Sequence, residues 1–125
     1  NVHAVRDWTD ARDMVVGIYF MMHKDQPDDF VLGSGQGRTI LELIDCCMDY
    51  IGIEFEWKDA EGIGIDKATG NVIVEVNDKY KRPLEVNSLI ADTTKAKQIL
   101  GWKPKISFEQ MIQEMIDNDV LSFSK

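Results

Sequence analysis

A chain of 125 residues has room for one domain that buries roughly two-thirds of its unfolded surface. Its 22 acidic and 14 basic side chains give a formal charge of −8, a field that repels a phosphate polymer and argues against nucleic acid as a partner. No apolar run approaches the roughly 18 residues of a membrane span, so no membrane partner is expected.

The start at Asn1 lacks a methionine and carries no signal-peptide pattern, which suggests a chain processed or cut from something longer. Residues 1–5 read as the end of a strand, and Arg6-Asp7-Trp8 as a polar turn. Asp10 sits at an N-cap position, and Val15, Ile18, Tyr19 and Met22 recur at helical spacing, predicting an amphipathic helix over 11–23 with that stripe on a core. The apolar run 29–33 predicts a short buried strand that empties into Gly33-Ser34-Gly35-Gln36-Gly37, a turn expected to expose backbone amides and Arg38.

That strand, glycine loop and helix imitate a dinucleotide fingerprint, with Glu54 and Glu56 about twenty positions on. The imitation fails at the third glycine, where Arg38 would spoil the close helix-to-strand contact. No cofactor site is therefore expected here.

Thr39-Ile40-Leu41-Glu42 is a capping box, followed by an apolar face of Ile40, Leu43, Ile44, Cys47 and Ile51 and a stop at Gly52. Cys46 and Cys47 are adjacent within this helix, where a mutual disulfide would be strained, so free thiols in a reducing compartment, the cytoplasm, are expected. Residues 53–58 alternate as a half-buried strand, 59–71 read as a long surface excursion or ragged hairpin, and 72–76 as a second strand. Leu89-Ile90-Ala91 is extended. Asp92 or Thr93 caps a helix over 95–100 stopped by Gly101, and a second capping box, Ser107-Phe108-Glu109-Gln110, opens a terminal helix ending near Val120 with a frayed tail over 121–125. His3 and His23 are isolated and make no metal pair. The expected fold class is mixed α/β, short strands with about four helices.

The chemistry concentrates in Lys79-Tyr80-Lys81-Arg82-Pro83-Leu84-Glu85-Val86. Pro83 biases Arg82 toward an extended backbone, from which a guanidinium can meet phosphate oxygens through two parallel hydrogen bonds. Glu85, an acceptor-only group, suits the two hydroxyls of a ribose. The alternative is a solvated surface pair.

Arg6-Asp7-Trp8, Arg82-Pro83-Leu84-Glu85-Val86, Asp92-Thr93-Thr94-Lys95-Ala96-Lys97 and Leu100-Gly101-Trp102-Lys103-Pro104, in this order and spacing, resemble the C-terminal part of the GDP-mannose 4,6-dehydratase family of extended short-chain dehydrogenases. The turn Lys67-Ala68-Thr69-Gly70-Asn71-Val72 resembles an insertion in some members. The resemblance implies a small GDP-sugar-binding domain over residues 1–125, with the NADP-binding Rossmann domain outside this chain. It implies that the complete enzyme turns GDP-mannose into GDP-4-keto-6-deoxymannose, by hydride transfer from sugar C4 to NADP, loss of water across C5 and C6, and hydride return at C6.

Carried over by position, Arg82 would hold the diphosphate, Glu85 the ribose, and Arg6 would line or support the cleft. Some members have an arginine where this chain has Leu41, and Arg38 is the candidate to supply that charge. The family's Tyr-x-x-x-Lys pair has no counterpart, because Tyr19, Tyr50 and Tyr80 are followed four residues later by His23, Glu54 and Leu84. The chain alone is thus expected to hold no catalytic residue, bind no NADP and show no dehydratase activity. The alternative is a non-catalytic interaction module derived from the domain. In either case another chain, the missing domain or a homo-oligomer would cover the former domain interface.

Overall fold

The computed structural model describes residues 1–60, 62–80, 82 and 84–123. Lys81 and Pro83 of the arginine stretch, Glu61 of the acidic excursion and the last two residues of the expected frayed tail lie outside them.

Among the described residues the chain runs β1 (Val5–Asp7), α1 (Ala11–Met22), β2 (Gly37–Thr39), α2 (Ile40–Ile51), β3 (Phe55–Trp57), β4 (Gly64–Asp66), β5 (Val72–Val74), β6 (Ser88–Leu89) and α3 (Phe108–Phe123). A single 3-10 turn spans Asp78–Tyr80, and a π-helical turn spans Ala96–Leu100. The mixed α/β class is as expected, with the π turn standing where the helix over 95–100 was predicted.

The strands form two three-stranded sheets. In the first, β1 is central, antiparallel to β2 and parallel to β6. In the second, β3, β4 and β5 make an antiparallel meander.

The first predicted capping box forms in full, while the turn over Ala96–Leu100 has no side-chain cap. Thr39 accepts from the Glu42 amide at 3.0 Å while the Glu42 carboxylate accepts from the Thr39 amide at 2.7 Å, so both halves of the first box are present. Gly52 closes α2 at φ 75°, a left-handed cap that glycine adopts without a Cβ penalty. The second box is half formed: Ser107 Oγ accepts from the Gln110 amide, but the Gln110 side chain turns forward to Glu114. The last helix runs through Phe123, past the expected end at Val120.

Four expectations change. The run 29–33 is not a strand: Leu32 packs beside Gly17, Gly33 lies against Ala91 and Asp7, and the Asp29 carbonyl accepts from Lys95 Nζ at 2.8 Å. The ladder falls instead on Gly37-Arg38-Thr39, which has no apolar pattern to announce it. Arg6 and Asp7 are strand rather than turn. Of the two readings of 59–71, the surface excursion gives way to the ragged hairpin, with β4 as the middle strand of the meander.

The fourth change concerns α1. Its apolar stripe is not on a core: Val15 is 63% and Met22 77% exposed, and Ile18 and Tyr19 are also exposed. The buried face carries Asp13 and Gly17 instead. The indole of Trp102, 2% exposed, donates to the Asp13 carbonyl at 2.9 Å, and the Asp13 carboxylate accepts from the Lys105 and Ile106 amides at 2.9 Å each. A carboxylate thus docks the segment leading into α3. Arg12 adds a second tie between these helices, pairing with Asp10 at 2.8 Å and with Glu114. Among the described residues Val2, Ala4, Ala96, Trp102 and Ile112 are the buried apolar side chains. Among the described residues no helix is long and apolar enough to cross a membrane.

Candidate functional site

The arginine stretch is positioned by the turn before it and the strand after it. Asn77 opens the turn: its carbonyl accepts from the Tyr80 amide at 3.0 Å and its side chain from the Lys79 amide at 2.9 Å. After Glu85 the chain joins the first sheet, where the Val5 amide donates to the Asn87 carbonyl at 2.8 Å and Arg6 falls opposite Leu89. This parallel pairing brings Arg6, 79 positions away in sequence, to Glu85, whose carboxylate accepts from Arg6 Nη2.

Arg82 and Glu85 line one groove of about 710 Å³ with Asp78, Tyr80 and the apolar Val2, Ile63 and Val76. That volume suits a drug-sized or nucleotide-sized ligand. The mix is chemically directional: a cation for an anionic group, a carboxylate for hydroxyls, and aliphatic surface for a flat or apolar portion. Among the described residues no ion pair holds Arg82.

Arg38 does not line this groove. It lies opposite Arg6 on the neighbouring strand, an arrangement in which like charges repel, and the two are satisfied separately. Arg6 goes to Glu85; Arg38 goes to Glu42 at 3.4 Å and Glu109 at 3.6 Å, with its guanidinium 5.7 Å from the Phe108 ring centre. Arg38 therefore links β2 and α2 to the start of α3. It lines a separate cleft of about 230 Å³ with Trp8 and Lys105.

The glycine loop does not expose its amides as expected. Asp7 accepts from the Ser34 amide at 2.8 Å, the Ser34 hydroxyl at 2.6 Å, the Gly35 amide at 2.9 Å and the Ala91 amide at 3.2 Å. Burial pushes this carboxyl upward, but the hydrogen bonds from Ser34, Gly35 and Ala91 outweigh it and hold the group below the ordinary carboxylate range. With the Ser34 and Gly35 amides committed to Asp7 and the Gln36 amide to Ser34 Oγ, the loop does not fit a dinucleotide phosphate. The Cys46 and Cys47 thiols are both pushed up by burial, the opposite of what a nucleophile needs.

The sequence reading missed three groups: Asp7, Asp13 and Arg12. Each is a polar residue inside a predicted helix or turn, and nothing in local spacing shows that its partners lie 27, 92 and 102 positions away.

Residues 1–115 match the family described as GDP-mannose 4,6 dehydratase. The chain belongs to that family. Human GDP-mannose 4,6 dehydratase is 41% identical over 122 residues, covering 96% of this chain and 33% of the human protein. The GDP-mannose 4,6-dehydratase of Sinorhizobium fredii (strain HH103) is 39% identical over 123 residues, covering 96% and 35%. This member thus spans about a third of the length of the curated relatives it matches.

Among solved structures, the UDP-glucose 4-epimerase of Thermotoga maritima with UDP-glucose superposes with a TM-score of 0.72 at 26% identity, over 98% of this chain and 34% of the other. RMD from Pseudomonas aeruginosa complexed with NADPH superposes with a TM-score of 0.71 at 20% identity, over 94% and 33%, a likeness of fold. The dehydratase family and the mixed α/β fold expected from the motifs are both established for this chain.

Proposed function

We propose that this chain is the nucleotide-sugar-holding portion of a GDP-mannose 4,6-dehydratase, with GDP-mannose as the ligand. The observation that carries the reading is the shared groove of Arg82 and Glu85. Arg82 would pair with the diphosphate through its planar fork, and Glu85 would accept from the ribose hydroxyls. The apolar Val2, Ile63 and Val76 of the same groove would shelter those contacts from water.

Hydride transfer and loss of water belong, on this reading, to a Rossmann domain carried by the rest of a longer polypeptide, where NADP is held. These 125 residues contain no tyrosine with a lysine four positions on, so the chain supplies binding and orientation and shows no dehydratase turnover by itself. The outward stripe of α1 supports a covering partner, since a contiguous apolar face is costly to leave in water. We assign that cover to the Rossmann domain, and the complete enzyme to the cytoplasm, which suits the two free cysteines.

The same stripe also supports a second reading, an interaction module that kept the fold and lost the ligand. The groove separates the two readings, because a module has no need of Arg82 and Glu85 on one surface. Calorimetric titration with GDP-mannose and GDP at low salt tests this. Binding that Arg82→Ala weakens by roughly tenfold or more, the loss of a charge-assisted pair, is the expected result. Equal affinity in both proteins would remove Arg82 from the site.

A further inference from the structure

Glu85 has one arginine three residues away in its own segment and another on β1, and only the second takes its carboxylate. Glu85 lies three residues from Arg82 and lines the same groove, yet its carboxylate accepts from Arg6. Arg6 does not line that groove; it lines a separate, mainly apolar hollow beside Met14, Leu32 and Ile90. Its fork is fixed at the other side as well, since Nη1 donates to the Val5 carbonyl at 2.8 Å. The Arg6 and Glu85 side chains are each 26% exposed, so water screens their pair only in part.

Resting on the nucleotide reading of the groove, we propose that Arg6 is a positioning residue that draws Glu85 away from Arg82 and so keeps the Arg82 guanidinium available for a diphosphate. An arginine beside a free carboxylate of its own segment would pair with it, and an incoming anion would have to displace that carboxylate first. Arg6 removes the competitor in advance. It also fixes one oxygen of Glu85, leaving the other oriented for a hydroxyl donor, so one ion pair prepares both halves of the site.

The test is titration of inorganic pyrophosphate, which has no ribose, and of GDP at low ionic strength into the wild-type chain, Arg6→Gln, Arg6→Lys, Glu85→Gln and the Arg6→Gln/Glu85→Gln double variant. Arg6→Gln is expected to weaken pyrophosphate by about two- to fivefold, the strength of one part-exposed ion pair now formed between Glu85 and Arg82. Arg6→Lys, which still offers Glu85 a cation, should stay within about twofold of wild type.

Adding Glu85→Gln to Arg6→Gln should recover the loss, whereas adding it to the wild type should bring no comparable gain, a background dependence that independent charges do not produce. The inference is overturned if Glu85→Gln tightens pyrophosphate equally in both backgrounds, which is a field effect. It is likewise overturned if the Arg6→Gln loss persists in the double variant, which would place Arg6 on the anion itself, or if pyrophosphate affinity is flat across the series. GDP binding by the wild type with such a flat series sinks this inference and leaves the nucleotide reading standing; no GDP binding by the wild type sinks both.

Discussion

Replacing Asp13 by alanine tests whether a carboxylate, rather than an apolar stripe, holds α1 to the fold. Its Oδ2 accepts from two backbone amides, Lys105 and Ile106, each at 2.9 Å, and the residue is 6% exposed. An amide that loses its acceptor in a buried place costs about 1–3 kcal/mol. The neighbouring Lys105 side chain is exposed, so water can recover part of one bond, and the sum for Asp13→Ala is about 2–4 kcal/mol.

The Trp102 indole bonds to the Asp13 carbonyl, which the substitution keeps, so that contact adds nothing to the loss. Asp13→Asn retains an oxygen but not the charge. Since charge-assisted hydrogen bonds are roughly twice as strong as neutral ones, it should cost about half as much. Urea unfolding followed by tryptophan fluorescence measures both, with the slope unchanged if only stability moves. In a thermal melt the alanine variant should fall by roughly 6–20 °C for a domain of this size. An alanine variant within about 0.5 kcal/mol of wild type would refute the reasoning, because that is the range of an ordinary surface substitution.

Other outcomes follow from the same packing. A Cβ at Gly17 would stand 2.5 Å from Leu32 Cδ1 and 3.1 Å from Trp102 Cε2, so Gly17→Ala is expected to destabilise by about 1–3 kcal/mol in the same urea assay despite its better helix propensity. Thr39→Ala removes one half of the formed capping box and should cost about 1 kcal/mol, with helicity of α2 lost first. On acidification, Asp10 is the group to follow. Its hydrogen bond from the Arg12 side chain, opposed by burial, brings its pKa from the ordinary 3.8 down to about 2. Below 3.8 the unfolded chain takes up the proton first, so this stabilisation is complete above that pH and is lost as pH falls toward about 2. Acid unfolding of Asp10→Asn, compared with wild type by circular dichroism, should show a shallower dependence through that window.

Short-range chemistry was legible in the sequence, and long-range partnership was not. Thr39 with Glu42, and Gly52 after α2, announce themselves because a cap is settled within a few residues. Arg82 and Glu85, singled out by the chemistry of their own short stretch, both line one groove.

The run at 29–33 misled because an apolar stretch asks for burial and not for a ladder; Leu32 is served by Gly17 without any strand pairing. Gly37-Arg38-Thr39 became a strand because Val5 to Asp7 needed a neighbour, a demand invisible in those three residues. Helical periodicity correctly marked Val15, Ile18, Tyr19 and Met22 as one face, but period alone does not say what meets that face. Here the face meets solvent in this chain, while Asp13 and Gly17 look inward.

Asp7 has a kinetic consequence. Its carboxylate joins the end of β1, the glycine loop and the stretch after β6, and it does so by accepting from amides on two separate segments. Opening the loop by itself strands part of a charged acceptor, so the cheaper fluctuation releases both segments together. The Ser34, Gly35 and Ala91 amides should therefore exchange their hydrogens with similar protection, as members of one cooperative opening rather than as three independent frays.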